Sequence, residues 1–263
     1  MTQPVDCPER AAARLAWARA ASGDATLQLT RASTDAGFRS YWRANAGNQD
    51  DAPTRIVMDS PPDKEDVRPW LRIRELRLFH DWYLGRHLGV TLACGELEAL
   101  EQVHRHLVDA ALAQPRVLVH RDFMPRNLMP VADGPAVLDF QDAVRGPIAY
   151  DPVSLFKDAF LSWPQARVDD WLGRYHARAA AAGLPVPALE RFRRDADLIG
   201  IQRHLKVLGI FARLHHRDGK PKYLADAPRF VGYLDAVLPR YPELSALSAI
   251  VERYVHPTLP AGQ

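Results

Sequence analysis

The pattern of apolar and polar positions divides the chain into a front part and a back part. In the front part, apolar residues at helical spacing predict an amphipathic helix over residues 8–21. Alternating or short apolar runs then predict three strands, at residues 25–30, 38–44 and 54–59. The front part is therefore expected to hold a small sheet preceded by one helix.

The back part has a mainly helical pattern that is interrupted by one short hairpin. Helical periodicity runs from residue 76 to residue 112, with a break near Gly89. Two apolar runs between residues 116 and 140 predict the hairpin, and helical periodicity returns after Asp151. This order of elements predicts an α+β protein with a small β-containing part and a larger, mostly helical part.

Composition and charge narrow the class of protein. The 263 residues are 47% hydrophobic and 25% charged with a formal net charge of +2, which favours a globular domain over a nucleic-acid-binding or membrane-binding protein. Cys7 and Cys94 are too few for a disulfide framework or a zinc site. The first residues lack the apolar stretch of a signal peptide, and no run of about 18 apolar residues occurs. We therefore expect a soluble cytoplasmic protein with no nucleic-acid or membrane partner.

The hairpin region, "LVHRDFMPRNLMPVADGPAVLDFQD", concentrates polar residues around two apolar runs. Asp-Gly is a strong hairpin-turn signal, and Asn127 and Asp139 are equally distant from Asp133 in that turn. The spacing predicts that Asn127 and Asp139 lie opposite one another at the open end, where their oxygens can share a hard cation such as Mg²⁺. Asp122, in the preceding loop, is placed to accept a proton from a hydroxyl.

The same residues follow the spacing H-x-D-x-x-x-x-N, then an apolar strand and D-F, which is typical of kinase catalytic loops. In such loops the Asp takes the proton of the attacking hydroxyl, while the Asn and the second Asp hold metal ions against the phosphates. The alternative interpretation is a surface hairpin with solvated polar ends. The complete spacing favours phosphoryl transfer.

Longer stretches carry a family resemblance. "LVHRDFMPRNLM", "VLDFQDAVRGPIAYDPVSLFKDAF" and "QRHLKVLGIFARL" resemble the aminoglycoside phosphotransferase and choline kinase-like family, and "ASTDAGFRSYWR" and "IVMDSPPDKED" resemble its bacterial anomeric kinases of cell-wall recycling. This resemblance implies a two-lobe, protein-kinase-like fold. Residues 1–74 would form the N-terminal nucleotide-binding lobe, and residues 75–263 the C-terminal catalytic and acceptor-binding lobe.

The resemblance also implies roles for individual residues. Asp122 would be the catalytic base. The magnesium ligands would be Asn127 and Asp139. Asp151 matches a buried aspartate that braces the catalytic loop. His120 and Arg121 are expected to support the geometry of the loop rather than to take part in the chemistry.

The nucleotide side departs from the pattern of protein kinases. "STDAGF" lacks the spaced glycines of their phosphate loop, although small residues there can still let backbone N–H groups approach a phosphate. Met58 stands where the third strand usually carries a lysine, and Lys64, Arg39 and Arg43 are possible substitutes. The candidate nucleotide contacts are therefore the residues of the resembled loop, together with Lys64 as a possible substitute for the lysine: Ser33, Thr34, Asp35, Ala36, Gly37, Phe38 and Lys64. A plain hairpin turn is the alternative interpretation of the loop.

The junction between the two expected lobes is short. In the resembled subgroup, dozens of residues separate the segments that match "KEDVRPWLRI" and "RELRLFHDWYL", whereas here Ile73 is followed at once by the second segment. Only three strand signals precede this junction. The N-terminal lobe is therefore expected to be shortened, and a kinase-like protein that has lost activity with part of this lobe and hinge is one alternative.

The acceptor side is expected on a basic helix near the end of the chain. The pattern predicts a helix over residues 195–214, with Arg203 and Lys206 off its apolar face, and a basic surface suits a carboxylate-bearing sugar. A solvated basic stripe is the alternative interpretation. The overall expectation is an ATP- and Mg²⁺-dependent kinase for the anomeric hydroxyl of N-acetylmuramate or N-acetylglucosamine. The alternative acceptors are an aminoglycoside and another small alcohol.

Overall fold

The computed structural model describes residues 8–33, 40–45, 55–59, 73–132 and 134–259. The chain divides into two compact units, Met1–Asp66 and Val67–Gln263, which are described separately below.

In its described residues, the first unit contains one helix and a three-stranded antiparallel sheet. The sheet has the order β1-β2-β3, with a register shift between Arg31 and Ser33. Ala18 of the helix is buried together with Leu27 and Ala44, so one helix face covers the sheet. The elements are α1 Pro8–Ser22, β1 Gln28–Ser33, β2 Ser40–Asn45 and β3 Arg55–Asp59.

The second unit is mostly helical and carries two small two-stranded sheets, β4-β7 and β5-β6. Its helices are α2 Ile73–Leu78, continued by a π-helix Phe79–His87, α3 Cys94–Leu112, α4 Tyr150–Phe156, α5 Gln165–Ala181, α6 Leu189–Asp218, α7 Ala227–Asp235 and α8 Ser245–Ile250, continued by a π-helix Val251–Val255. Its strands are β4 Arg116–Val119, β5 Leu128–Val131, β6 Gly134–Val137 and β7 Val144–Pro147. Short 3₁₀ turns connect several of these elements.

The long helix α6 is the centre of the second unit. Its residues enter both large hydrophobic clusters, for example Leu205 in one and Phe192 in the other. Gly209 marks a close crossing of α6 and α2, because a Cβ atom there would lie 2.3 Å from the backbone of Leu78 in α2. Any larger residue at position 209 would therefore push α2 away from α6.

The structure confirms the α+β class and the division into a small sheet-containing part and a larger helical part. It also contains an element that the sequence pattern missed, the strand β7. This strand pairs with β4 in an antiparallel register from Arg116 opposite Pro147 to Val119 opposite Val144. Among the described residues, no helix is long and apolar enough to cross a bilayer.

Candidate active site

The segment from His120 to Asn127, here called the catalytic loop, connects β4 to β5 and is folded back on itself. The backbone N–H of Asn127 donates to the carbonyl of Met124 at 2.9 Å, which closes a 3₁₀ turn over Pro125–Asn127. The Asn127 side chain then donates through Nδ2 to the backbone carbonyl of Asp122 at 2.8 Å. The two ends of the predicted D-x-x-x-x-N motif are thereby joined.

A carboxylate from α4 holds the start of this loop. The Asp151 Oδ2 atom accepts the backbone N–H of His120 at 2.7 Å, and its Oδ1 atom accepts that of Arg121 at 3.0 Å. Burial raises the pKa of Asp151, while the hydrogen bonds from His120 and Arg121 oppose that rise. Asp151 therefore has the contacts of a brace for the catalytic loop, which is the role that the family resemblance implied.

The histidine of the motif ties the loop to the residues that follow β6. His120 is 8% exposed, and its Nε2 atom lies 2.8 Å from the carbonyl oxygen of Leu138. Its ring also packs edge-on against Phe123, with ring centroids 5.9 Å apart. Since Leu138 directly precedes Asp139, this contact links the base side of the site to the metal side.

Two residues of the site have a left-handed backbone. Arg121 has φ 76° and Asp139 has φ 62°, and among the described residues they are the only non-glycine residues with positive φ. This conformation costs about 1 kcal/mol for an L-residue and is concentrated at functional sites. Arg121 directly precedes the candidate base and Asp139 is a candidate magnesium ligand, so the strain coincides with the candidate active site.

The predicted register of the hairpin was wrong by one residue. Val131 pairs with Gly134 and Leu128 with Val137, and the N–H of Leu138 donates to the carbonyl of Asn127 at 2.8 Å. Asn127 therefore faces Leu138 rather than Asp139, because each pair in this register joins residues whose numbers add to one less than the predicted register requires. Both Asn127 and Asp139 lie outside the strands, so strand alternation does not set the direction of their side chains.

The side-chain oxygen atoms of Asn127 and Asp139 suit a magnesium ion. Because Asn127 uses its Nδ2 atom on the Asp122 carbonyl, its Oδ1 atom is left as a potential ligand. Asp139 is exposed, and its Oδ1 atom accepts a hydrogen bond from Gln141. Within the described ranges, no three His, Cys, Asp or Glu side chains form a metal cluster. An amide and a carboxylate oxygen fit Mg²⁺, which usually takes only one or two carboxylates and completes its shell with phosphates and water.

The two basic residues predicted for the acceptor lie in different surroundings. The Arg203 guanidinium stacks on Tyr150 with its carbon 4.6 Å from the ring centroid, and it donates to the Ser154 hydroxyl at 2.8 Å. Lys206 forms an ion pair with Glu75 of α2 at 2.9 Å. Both side chains therefore make contacts within the second unit, and their contact with an acceptor stays a prediction.

Most of the predicted nucleotide contacts lie outside the described residues. These are Thr34, Asp35, Ala36, Gly37, Phe38 and Lys64. The backbone of Ser33 ends β1, and that of Met58 lies in β3.

Sequence reasoning missed Arg126. Its guanidinium carbon lies 3.4 Å from the centroid of the Phe160 ring, in the segment between α4 and α5. The only sequence signal was its position inside the D-x-x-x-x-N motif, since residue 160 is 34 positions away.

A cavity of about 740 Å³ opens beside the catalytic loop. Pro125 of the loop forms part of its wall, and Trp163 and Trp171 pack edge to face with ring centroids 5.3 Å apart. Arg174 and Arg178 of α5 also line it. Cavities of this size with aromatic walls and a few charged groups bind small molecules.

Comparison with known proteins shows several related kinases. A protein of Pseudomonas putida named N-acetylmuramate/N-acetylglucosamine kinase is 56% identical over 199 residues, which are 75% of this chain and 58% of that protein. A protein of the same name from Pseudomonas aeruginosa is 40% identical over 300 residues, covering 85% of this chain and 88% of its own length. The protein of that name from Neisseria meningitidis is 35% identical over 317 residues, covering 91% and 94%.

The last two alignments are longer than this chain of 263 residues, so both relatives contain residues without a counterpart here. Among solved structures, ADP-bound aminoglycoside phosphotransferase APH(2'')-Ib is similar with a TM-score of 0.38 and 15% identity, covering 61% of this chain and 50% of that one.

A family model gives the broadest assignment. The model described as the phosphotransferase enzyme family matches residues 8–184, a range that begins with α1 and ends after α5 and so includes the catalytic loop, the hairpin and Asp151. With this match and the relatives above, the chain belongs to the phosphotransferase enzyme family.

Proposed function

We propose that the protein is an ATP- and Mg²⁺-dependent sugar kinase that phosphorylates the anomeric hydroxyl of N-acetylmuramate, N-acetylglucosamine or both, in the recycling of peptidoglycan. The names of its relatives support this acceptor class. The observation that carries the proposal is the closed catalytic loop, in which Asn127 is bonded to the Asp122 carbonyl and Asp151 holds the preceding backbone.

In the proposed reaction, the acceptor hydroxyl oxygen attacks the γ-phosphorus of ATP. The bond from that phosphorus to the oxygen of the departing ADP breaks, and the hydroxyl proton passes to the carboxylate of Asp122. Asp122 is partly buried in the loop that Asn127 closes, so its backbone is fixed before the acceptor arrives. Preorganisation of this kind lowers the entropic cost of reaching the reactive geometry.

Asn127 and Asp139 would hold the magnesium ion. When bound, the ion neutralises charge on the phosphates. The chain's own contribution is to fix the two ligands, through the Nδ2 contact of Asn127 and the His120 contact to Leu138, next to Asp139.

For the nucleotide, we retain the sequence-based proposal that residues 1–74 form the nucleotide-binding lobe. Residues 33–38 and Lys64 would contribute to it, and residues 75–263 would carry catalysis and the acceptor. A cytoplasmic location belongs to the same proposal, because ATP is the phosphate donor.

A second candidate function is a kinase-like protein without turnover. Two relatives named as kinases contain residues that have no counterpart in this chain. If those residues are needed for turnover, this chain would lack it. Titration with ATP and Mg²⁺ separates the two candidates: a kinase gains thermal stability as it binds nucleotide, whereas a protein without a nucleotide site does not.

The decisive experiment for the kinase is the Asp122→Asn variant. We expect kcat for sugar phosphorylation to fall by roughly a hundredfold or more, because asparagine cannot accept the proton. Mass spectrometry of the sugar phosphate, with separate trials of both amino sugars, an aminoglycoside and choline, measures product and acceptor class together.

The matched control is Asp235→Asn, which makes the same change at an exposed acid of α7 that is paired with His256. Wild-type turnover in Asp122→Asn would remove Asp122 from the chemistry. Equal loss in both variants would point to a general effect on the fold.

A further inference from the structure

We infer that Arg126 is a specificity-determining residue of the acceptor site and that its guanidinium binds the carboxylate of an anionic amino sugar. This inference rests on the proposed function and adds the group that separates N-acetylmuramate from N-acetylglucosamine.

The position of Arg126 in the catalytic loop is the first support. It lies directly before Asn127, whose side chain bonds the carbonyl of Asp122 at 2.8 Å. The loop is therefore closed, and Arg126 belongs to the same closed segment as the candidate base, four residues after it. We infer that a sugar whose hydroxyl meets Asp122 brings its other groups close to the Arg126 guanidinium.

The second support is the way in which the guanidinium is held. Its carbon lies 3.4 Å from the centroid of the Phe160 ring, which is a stacking distance. A stacked guanidinium keeps its N–H groups at the ring edge and loses little further freedom when it binds an anion.

The platform under the guanidinium is itself fixed. The Asp158 carboxylate accepts the backbone N–H groups of Phe160 at 2.9 Å and Leu161 at 3.1 Å. The Ala159 carbonyl accepts a hydrogen bond from Arg229 of α7 at 2.8 Å. Phe160 is therefore anchored on both sides, so the arginine rests on a defined surface.

The third support is the absence of a counter-charge. Within the part of the chain that the structure describes, Arg126 has no carboxylate at ion-pair distance. By contrast, Lys206 is paired with Glu75 and Arg229 with Asp226. Arg126 is exposed, so its N–H groups are open to a dissolved anion.

The chemistry of the two acceptors makes the inference specific. N-acetylmuramate differs from N-acetylglucosamine by a lactyl ether that ends in a carboxylate. Guanidinium and carboxylate form paired, charge-assisted hydrogen bonds, and such a pair adds affinity only for the acid. A cationic aminoglycoside would instead be repelled by the same group.

The test compares kcat/KM for the two amino sugars in wild type, Arg126→Gln and Arg126→Lys. Loss of a charge-assisted pair should lower the ratio of kcat/KM for N-acetylmuramate to that for N-acetylglucosamine by roughly tenfold or more in Arg126→Gln. Arg126→Lys should give an intermediate ratio, since it retains charge without the planar fork. Arg193→Gln, on the exposed surface of α6 and paired with Glu190, should leave the ratio at the wild-type value.

Other outcomes overturn the inference. An unchanged ratio in Arg126→Gln rules out a carboxylate contact, and an equal fall for both sugars with a raised KM for ATP assigns Arg126 to the nucleotide phosphates instead. If Arg126→Gln does not fold, the ratio in Phe160→Leu decides, because loss of the stacking platform should lower it in the same direction. If the wild type phosphorylates neither sugar, the proposed function itself fails, which is a different result from an unchanged ratio.

Discussion

The two acids of the candidate active site, Asp122 and Asp139, are held by different kinds of contact. Asp122 belongs to a loop that is bonded to Asp151, 29 residues further along the chain, through the backbone N–H groups of His120 and Arg121. Asp139 is exposed and has a left-handed backbone, and its side chain accepts a hydrogen bond from Gln141, two residues away. The loop that carries Asp122 is thus held by a contact distant in sequence, whereas Asp139 is held by a contact with a residue close in sequence.

Because of this difference, variants of the two sides of the site should affect stability and activity to different extents. A substitution at Asp139 removes one hydrogen bond at the surface. A substitution at Asp151 removes hydrogen bonds that hold the backbone of the catalytic loop. Variants on the two sides should therefore give distinct combinations of turnover and unfolding free energy, and the expected effects can be ordered by size.

The largest effect is expected for Asp139→Asn. Turnover should fall by roughly a hundredfold or more because a magnesium ligand loses its charge, and raised Mg²⁺ should restore part of it. The free energy of unfolding should change by less than about 0.5 kcal/mol, because the residue is exposed and asparagine tolerates the left-handed backbone. Turnover against Mg²⁺ concentration, together with urea unfolding, tests both statements. A large loss of stability would show that the metal side is also supported by the core.

Asp151→Asn should affect both quantities. An asparagine offers one oxygen to the two N–H groups of His120 and Arg121 and turns an NH₂ group toward the other. The expected cost is about 1–3 kcal/mol of unfolding free energy, accompanied by a fall in turnover. Urea unfolding and initial rates measured on the same sample provide the check. Full activity in a destabilised protein would mean that the loop keeps its geometry without the brace.

The smallest expected effect is a pH dependence of the unfolding free energy that arises from a buried histidine of α6. His204, on α6 next to Arg203, is fully buried, and burial lowers its pKa well below the ordinary value, with Lys157 and Arg203 lowering it further. As the pH falls below about 6.5, the unfolded chain takes up this proton and the folded chain does not, so stability is lost on acidification. The loss attributable to His204 between pH 7.5 and pH 5.5 should be about 1 kcal/mol.

Urea unfolding of wild type and His204→Leu at the two pH values isolates that contribution. The variant should have a flatter pH dependence than the wild type. Identical slopes would show that His204 takes up its proton equally in the folded and unfolded states.

Local patterns predicted much of this molecule. Periodicity alone indicated α1, the three front strands and the helical back part. An amphipathic helix repeats its apolar residues at helical spacing and a half-buried strand alternates apolar and polar residues, so both patterns can be read locally. The motif spacing identified Asp122 and Asn127, and the structure joins them through one hydrogen bond. These features depend on residues close together in the chain.

The features that were missed depend on distant contacts or on exact register. The hairpin register differs by one residue because the Asp-Gly signal predicts a turn without fixing which residues pair across it. Strand β7 depends on pairing with β4, almost 30 residues earlier, and the contact between Arg126 and Phe160 has no local signal at all.

The bond from the catalytic loop to Asp151 has a consequence for biosynthesis. Asp122, Asn127 and Asp139 all precede Asp151, and the whole hairpin lies between the loop and its brace. A nascent chain that has emerged only as far as the hairpin therefore carries all three residues proposed for base and metal, but not the carboxylate that fixes the loop. Long-range contacts of this kind form after local ones, so the site acquires its geometry only once α4 has been made and has packed against it.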